Sequence, residues 1–408
     1  MIRHQVFFDT LGTLREDSAS WRSVFAGLSV LRLVDSYTDN SASVDPANWA
    51  QLHSVRSSVE EVSAGDPIRG VLTTVLEETI ARGTIDEIVC RSLLGYGRAL
   101  DYDANWSLAA DVYQTVAKIS RPEKNAKLAV EANVAVGGAA RRNGDWETSA
   151  RAYSQAAYIA DTMGDRQGVL TVQVGIANTY MAKGNLPQAQ SILDDVLTQA
   201  ADLEIREVQS IALHSRAALA HRRGDPAEAV KLAHDALRLS SAHADREGIL
   251  GDLGAFFGEL GMRDAARDSY LLMAATAQTK WVRWQAIINL MELASFDGQE
   301  TAFDDYTSEL RREPLPPLLK SHFLLMLGEG LERFDRYETA AQALSEAKSC
   351  ADHNQIFSVS FKADEALSAL RSKARKAGTQ PTFAPLTHDV LAAAHDISEL
   401  RKAAVATG

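Results

Sequence analysis

The stretch Gly144-Asp145-Trp146-Glu147-Thr148-Ser149-Ala150-Arg151-Ala152-Tyr153 reads as a tight turn followed by a helix with small residues on one side and aromatics on another. Its turn returns as Gly184-Asn185-Leu186 and again as Gly224-Asp225-Pro226, so that positions 146, 186 and 226 are 40 residues apart. Each return is followed by small and apolar residues at matching spacing: Ala189, Leu193 and Val196, then Ala229, Ala233 and Ala236. A fixed period of this size marks a stack of supersecondary units. No single unit can bury its apolar face alone, so the stabilisation comes from stacking on its neighbours.

The bulk properties agree with such an array. At 408 residues the chain exceeds the size at which one compact core keeps growing. It is 46% hydrophobic and 24% charged, a composition ordinary for a water-soluble chain. Ala-rich segments and only 10 Pro favour helix. A net charge of −12 argues against non-specific nucleic-acid binding, which draws its affinity from phosphate neutralisation. No Lys precedes Lys118, so the chain opens without a basic arm. Cys90 and Cys350, far apart in helical patterns, exclude a disulfide framework or CxxC metal site and imply a reducing compartment. The opening Met1-Ile2-Arg3-His4 has no signal-peptide run. The longest apolar stretch, Val24 to Val34, is broken by Ser29 and Arg32 and is too short for a bilayer. The expectation is a soluble cytoplasmic protein with no nucleic-acid or membrane partner.

Residues 1–88 are helical without the repeat. A helical period runs through Trp21, Val24, Phe25, Leu28 and Leu31, and two further helices open at Asp45-Pro46 and Asp66-Pro67, with Asp as cap and Pro at the first helical position. This segment is expected to be a helical bundle or a set of capping repeats. Residues 89–376 carry about seven repeats and a capping helix. Helix A of the units contributes Gly97, Gly137, Ala177, Ala217, Gly254, Leu290 and Gly328 in turn. After the turn, helix B follows with Trp106, Ala109 and Tyr113, then Trp146, Ser149 and Tyr153, and later with Ala266 and Tyr270, or Tyr337, Ala340 and Leu344. The sixth unit, Gly298, Phe303, Thr307 and Leu310, is degenerate. Residues 377–408 are a Pro-containing linker and a final helix over roughly 387–404. The spacing predicts that the small residue of helix A faces the Ala of helix B, and that the aromatic after the turn fills the gap to the next unit.

These positions resemble the tetratricopeptide repeat (TPR) family over roughly 90–350. Gly97, Gly137, Gly254 and Gly328 match its small residue in helix A, and Ala109, Ala189, Ala229, Ala266 and Ala340 its helix B alanine. The chain departs from the family in its longer period, in lacking most inter-repeat prolines, and in Ser149 and Phe303 at the alanine position. The resemblance implies an all-α, TPR-like right-handed superhelical solenoid of antiparallel helix pairs with an N-terminal helical bundle. It also implies a non-enzymatic protein- or peptide-binding scaffold without a cofactor, with helix A lining a concave groove. Laid onto this register, the groove takes Arg91, Arg98, Arg141, Arg142, Asn178, His214, His221 and Arg222 from the first half of the array. Asn289, Glu292 and Glu329 come from the second half, with Glu259, Glu332 and Arg333 beside them. The groove is therefore expected to be basic, then acidic, and to take an extended or helical peptide, with Arg on its carboxylates and Asn178 on its backbone. The family's Lys-and-Asn clamp for a chaperone C-terminus is not reproduced. In plan, a helical bundle before a long-period array is similar to the peptide-sensing TPR regulators of Gram-positive bacteria. Residues 1–88 show no helix-turn-helix.

Few motifs point to chemistry. Phe8-Asp9-Thr10-Leu11-Gly12-Thr13 resembles the opening motif of haloacid-dehalogenase-type phosphatases at Asp9, Gly12 and Thr13, but Leu11 stands where that family has its proton-transferring acid. That alternative requires strands in the first 90 residues. His214 and His221 are seven apart, not at the four-residue spacing of helical metal sites, and GxSxG and P-loop motifs are absent. No catalytic or metal site is expected. Apolar terminal faces would let the solenoid form a homodimer.

Overall fold

Several helices begin at a capping side chain, Asp66, Asp86, Asp145, Asp165, Asp225 or Thr279, and several are followed by a left-handed glycine. The computed structural model describes residues 3–16, 18–39, 46–120, 122–354, 356–371 and 386–406. Among these the chain forms twenty helices and no strand. It divides into two compact units, 1–192 and 193–408.

The first unit opens with α1 (Gln5–Thr13), α2 (Ala19–Asp39), α3 (Pro46–Glu60) and α4 (Pro67–Arg82). Asp66 caps α4 by accepting from the Ile68 amide at 3.0 Å, as the Asp-Pro pair predicts. The Asp45-Pro46 cap lies outside the described residues. Helices α5 (Glu87–Tyr102) and α6 (Trp106–Ile119) form the first repeat, α7 (Pro122–Arg142) and α8 (Trp146–Thr162) the second, and α9 (Arg166–Ala182) begins the third. Helix α2 meets the array at Gly27, where a Cβ would overlap the Tyr96 ring of α5. Helix α1 is held by a buried imidazole. His4 Nδ1–H donates to Asp111 of α6 at 2.5 Å, and Nε2–H donates to Asp35 of α2 at 3.1 Å.

Helix α10 (Leu186–Asp202) spans the division at Ile192. The second unit continues with α11 (Arg206–Arg222) and α12 (Pro226–Leu239), α13 (His243–Glu259) and α14 (Arg263–Thr276), α15 (Lys280–Phe296) and α16 (Glu300–Leu310), and α17 (Pro317–Arg333) and α18 (Tyr337–His353). Helix α19 (Phe357–Arg371) follows, and α20 (His388–Ala406) ends the chain. The degenerate sixth unit is a helix pair with a short second helix: Phe303 is fully buried and a Cβ at Gly330 of α17 would overlap its ring.

One turn recurs between the helices. Asp145 N donates to Ala140 O at 2.9 Å and Asp225 N to Ala220 O at 3.1 Å, each after a glycine of positive φ, Gly144 at 76° and Gly224 at 79°. Ala104 (φ 56°) and Asp335 (φ 59°) hold the same place, and there Asn105 N donates to Leu100 O at 2.9 Å and Arg336 N to Leu331 O at 2.9 Å. A left-handed alanine carries a steric cost that glycine lacks. Ala104→Gly is therefore expected to stabilise the first repeat by about 0.5–1 kcal/mol after the greater freedom of unfolded glycine is subtracted. A urea midpoint that stays put or falls would sink this prediction.

The packing inside the repeats differs from the sequence expectation in two ways. The helix A glycines face the aromatic of helix B more than its alanine. A Cβ at Gly97 would overlap Tyr113, one at Gly137 would sit 2.7 Å from the Tyr153 ring, and one at Gly254 would overlap Tyr270. Tyr153 also lies against Gly175 of the next helix A. The aromatic after the turn is not the filler. Trp146 is 37% exposed and Tyr337 45%, against 4% for Tyr153. The turn holds residue 146 at the helix start, on the surface, where Lys183 Nζ sits 5.2 Å from the Trp146 ring centre.

The opening motif folds against its phosphatase reading. Asp9 stands exposed in mid-helix on α1, hydrogen-bonded by Gln5 Nε2 at 2.7 Å. Among the described residues no strand precedes it to present a nucleophile.

Candidate functional site

The side chains laid onto the groove fall on the A helices, and those of neighbouring A helices meet. In the first unit Arg91 and Arg98 stand on α5, Arg141 and Arg142 on α7, and Asn178 on α9. Arg91 Nη1 is 3.5 Å and Arg98 Nη1 4.0 Å from the Glu131 carboxylate of α7, and Arg91 also pairs with Glu87 at 2.6 Å. Arg142 Nη2 is 2.7 Å from Asp101 Oδ2, which also accepts from the Tyr113 hydroxyl at 2.9 Å. Arg141 hydrogen-bonds the hydroxyl of Tyr153, a phenol that burial pushes above its usual range while Arg141 and Arg142 pull it back. Asn178 Oδ1 is buried with no hydrogen-bond partner among the described residues.

In the second unit His214, His221 and Arg222 stand on α11, Asn289 and Glu292 on α15, and Glu329 on α17. His214 Nε2 lies 2.8 Å from Asp252 of α13 and His221 Nε2 2.7 Å from Glu259 of the same helix. Asn289 Oδ1 accepts from Gln285 Nε2 at 3.2 Å, and Glu329 pairs with Arg333 at 3.5 Å. Burial pushes the Glu292 carboxyl above its usual range, Arg333 and Lys362 oppose this, and Glu329 adds to it. Arg333 donates to Ser295 Oγ at 3.0 Å and its guanidinium lies 3.8 Å from the Phe296 ring centre.

Four contacts between successive A helices share one offset. Asn125 to Glu87, His214 to Asp252, His221 to Glu259 and Arg333 to Ser295 are each separated by 38 residues. That is about one repeat, so equivalent positions on successive A helices become neighbours. Sequence reasoning picked the basic members and passed over most of their acidic partners, Asp101, Glu131 and Asp252. The signal that finds them is an acid one period from each base. The expected basic stretch is thus neutralised at Arg91, Arg98 and Arg142. Exposed pairs of this kind contribute only about 0–1 kcal/mol each. Their effect is to hold planar guanidiniums in fixed orientations, from which a ligand carboxylate can exchange with the protein's own.

No family profile matches the chain, and no curated protein matches it. Among solved structures it is similar to NprR in complex with its cognate peptide NprX, at 12% identity and TM-score 0.47, covering 81% of this chain and 98% of that one. It is similar also to a tetratricopeptide repeat protein from Parabacteroides merdae, at 13% identity and TM-score 0.40, covering 69% and 98%. A third is Pseudomonas aeruginosa pilF, at 14% identity and TM-score 0.35, covering 55% and 90%. Its own helix pairs, with their shared turn, their glycine-to-aromatic contacts and their one-repeat ladder, make this chain a TPR-like all-α repeat protein.

Proposed function

We propose that the chain is a non-enzymatic scaffold whose A-helix face binds a protein or peptide segment, extended or helical, through its carboxylates. The observation that carries this reading is the fixed pair Arg141 and Arg142. One guanidinium rests on Tyr153 and the other on Asp101, so two adjacent cations are oriented before any ligand arrives. The unpartnered acceptor of Asn178 supports a contact to peptide backbone N–H. A peptide-responsive regulator working in a bacterial cytoplasm is the narrower form of the reading. Two free cysteines support the reducing compartment, and no helix of the described residues is long and apolar enough to cross a membrane.

The test uses a peptide selected by phage display on the wild-type chain. Arg141→Glu/Arg142→Glu is expected to weaken that peptide about 10- to 100-fold in titration calorimetry, the loss of charge-assisted hydrogen bonds. Helix content by circular dichroism stays unchanged. An unaltered affinity removes the reading.

A further inference from the structure

Helix α20 is out of sequence with the array. It does not stack after α19 but returns to pack on α12 and α14, the B helices of the fourth and fifth repeats. Val390, Ala393 and Ile397, spaced to form one helix stripe, are fully buried in a core shared with Val230, Ala233, Leu237 and Tyr270. Charge registers the helix along its length. Asp389 lies 3.3 Å from Lys231, Asp396 lies 3.1 Å from His234, and Arg401 lies 2.7 Å from Asp268. Two carboxylates in the first half of α20 thus meet Lys231 and His234 of α12, and a guanidinium in its second half meets Asp268 of α14.

This is a helix laid in a groove, and the repeats do not need it to stack. Helices α12 and α14 are each already packed on their own A helix and on the next one. The seam is also unsealed on one side. A cleft of about 640 Å³ opens between Arg263, Arg267 and Asp268 on α14 and Ala394, His395 and Ser398 on α20. Sixteen residues, 372–387, separate α19 from α20. Fully extended, they reach about 50 Å.

We propose that the face of α12 and α14 is a protein-recognition surface whose partner is α20 of a second copy of this chain, so that two copies pair by exchanging their last helices. The occupant that matches the face in both apolar stripe and charge order is carried by every other copy. The exchanged contact is the one already formed within the chain, so its pairing energy is the same in either arrangement. Dimerisation by exchange therefore needs no new surface. This proposal is independent of the A-helix face.

Two full-length variants test it. One reverses the face, K231E/H234E/D268K. The other reverses the helix, D389K/D396K/R401E. Alone, each carries a mismatched helix and face. Mixed, the reversed helix of one copy matches the reversed face of the other, and the two native surfaces match as well. The expected result by multi-angle light scattering is a species of twice the monomer mass for the wild type and for the mixture, and monomers for each variant alone. A chain carrying all six changes is matched again, is expected to pair like the wild type and, with circular dichroism, controls for folding. A monomeric wild type, or monomers throughout the mixture, overturns the proposal, including the case in which a free peptide of residues 386–406 still binds the face.

Discussion

Replacing Tyr153 by alanine lowers the stability of the second repeat by about 3–5 kcal/mol. The ring is 4% exposed and lies between Gly137 and Gly175, on two successive A helices. Glycine offers no side chain to collapse into the space, so the cavity persists and its lining loses its contacts on both sides. Trp146→Ala costs about 1 kcal/mol or less, because the indole is 37% exposed and forfeits little beyond its contact with Lys183. Native-state hydrogen exchange of α7, α8 and α9 reads both changes locally, as a repeat array requires. Equal costs for the two would mean that the aromatic at the turn carries the contact between repeats as much as the one in the B helix does.

Stability near the N-terminus falls as pH rises from neutral to alkaline. Burial pushes the His4 imidazolium toward deprotonation, but the hydrogen bonds to Asp111 and Asp35 and their charges outweigh it, and its pKa is raised from 6.5 to about 9. Asp35 answers in the opposite sense: burial pushes its carboxyl up, and the bond from His4 with the charges of His4 and Arg3 holds it below its ordinary value. A pKa raised on folding gives stability that is complete below pH 6.5 and lost as pH passes about 9. The shift corresponds to about 3 kcal/mol. The difference in unfolding free energy between the wild type and His4→Gln is therefore expected to shrink by that amount from pH 6 to pH 10. The charged groups facing the ring are Asp35, itself paired with Arg3, and Asp111. A difference that stays constant with pH would show that His4 is neutral in the folded chain.

The parts of the fold that repeat were legible, and the parts that occur once were not. Each unit solves the same packing problem, so Gly137 and Tyr153 recur as Gly97 and Tyr113, and as Gly254 and Tyr270, and the recurrence exposes them. The same logic placed the candidate residues on the A helices. It failed to tell which neighbour the glycine meets, because alanine and tyrosine of helix B both recur at fixed spacing from it. It failed at Trp146 because apolar size was taken for burial, whereas the turn decides where that side chain points. The His4 clamp joins residues 4, 35 and 111, which share no period. The docking of α20 has no period either. Its stripe, Val390, Ala393 and Ile397, announces a buried face without saying against what.

The return of α20 to α12 and α14 also orders events during synthesis. The ribosome completes α14 at Thr276 and must add more than a hundred residues before Val390 and Ile397 exist. At roughly 5–20 residues per second, the face between these helices stays bare for roughly ten seconds on every nascent chain. Neighbouring chains on one messenger expose it together, each ahead of its own final helix.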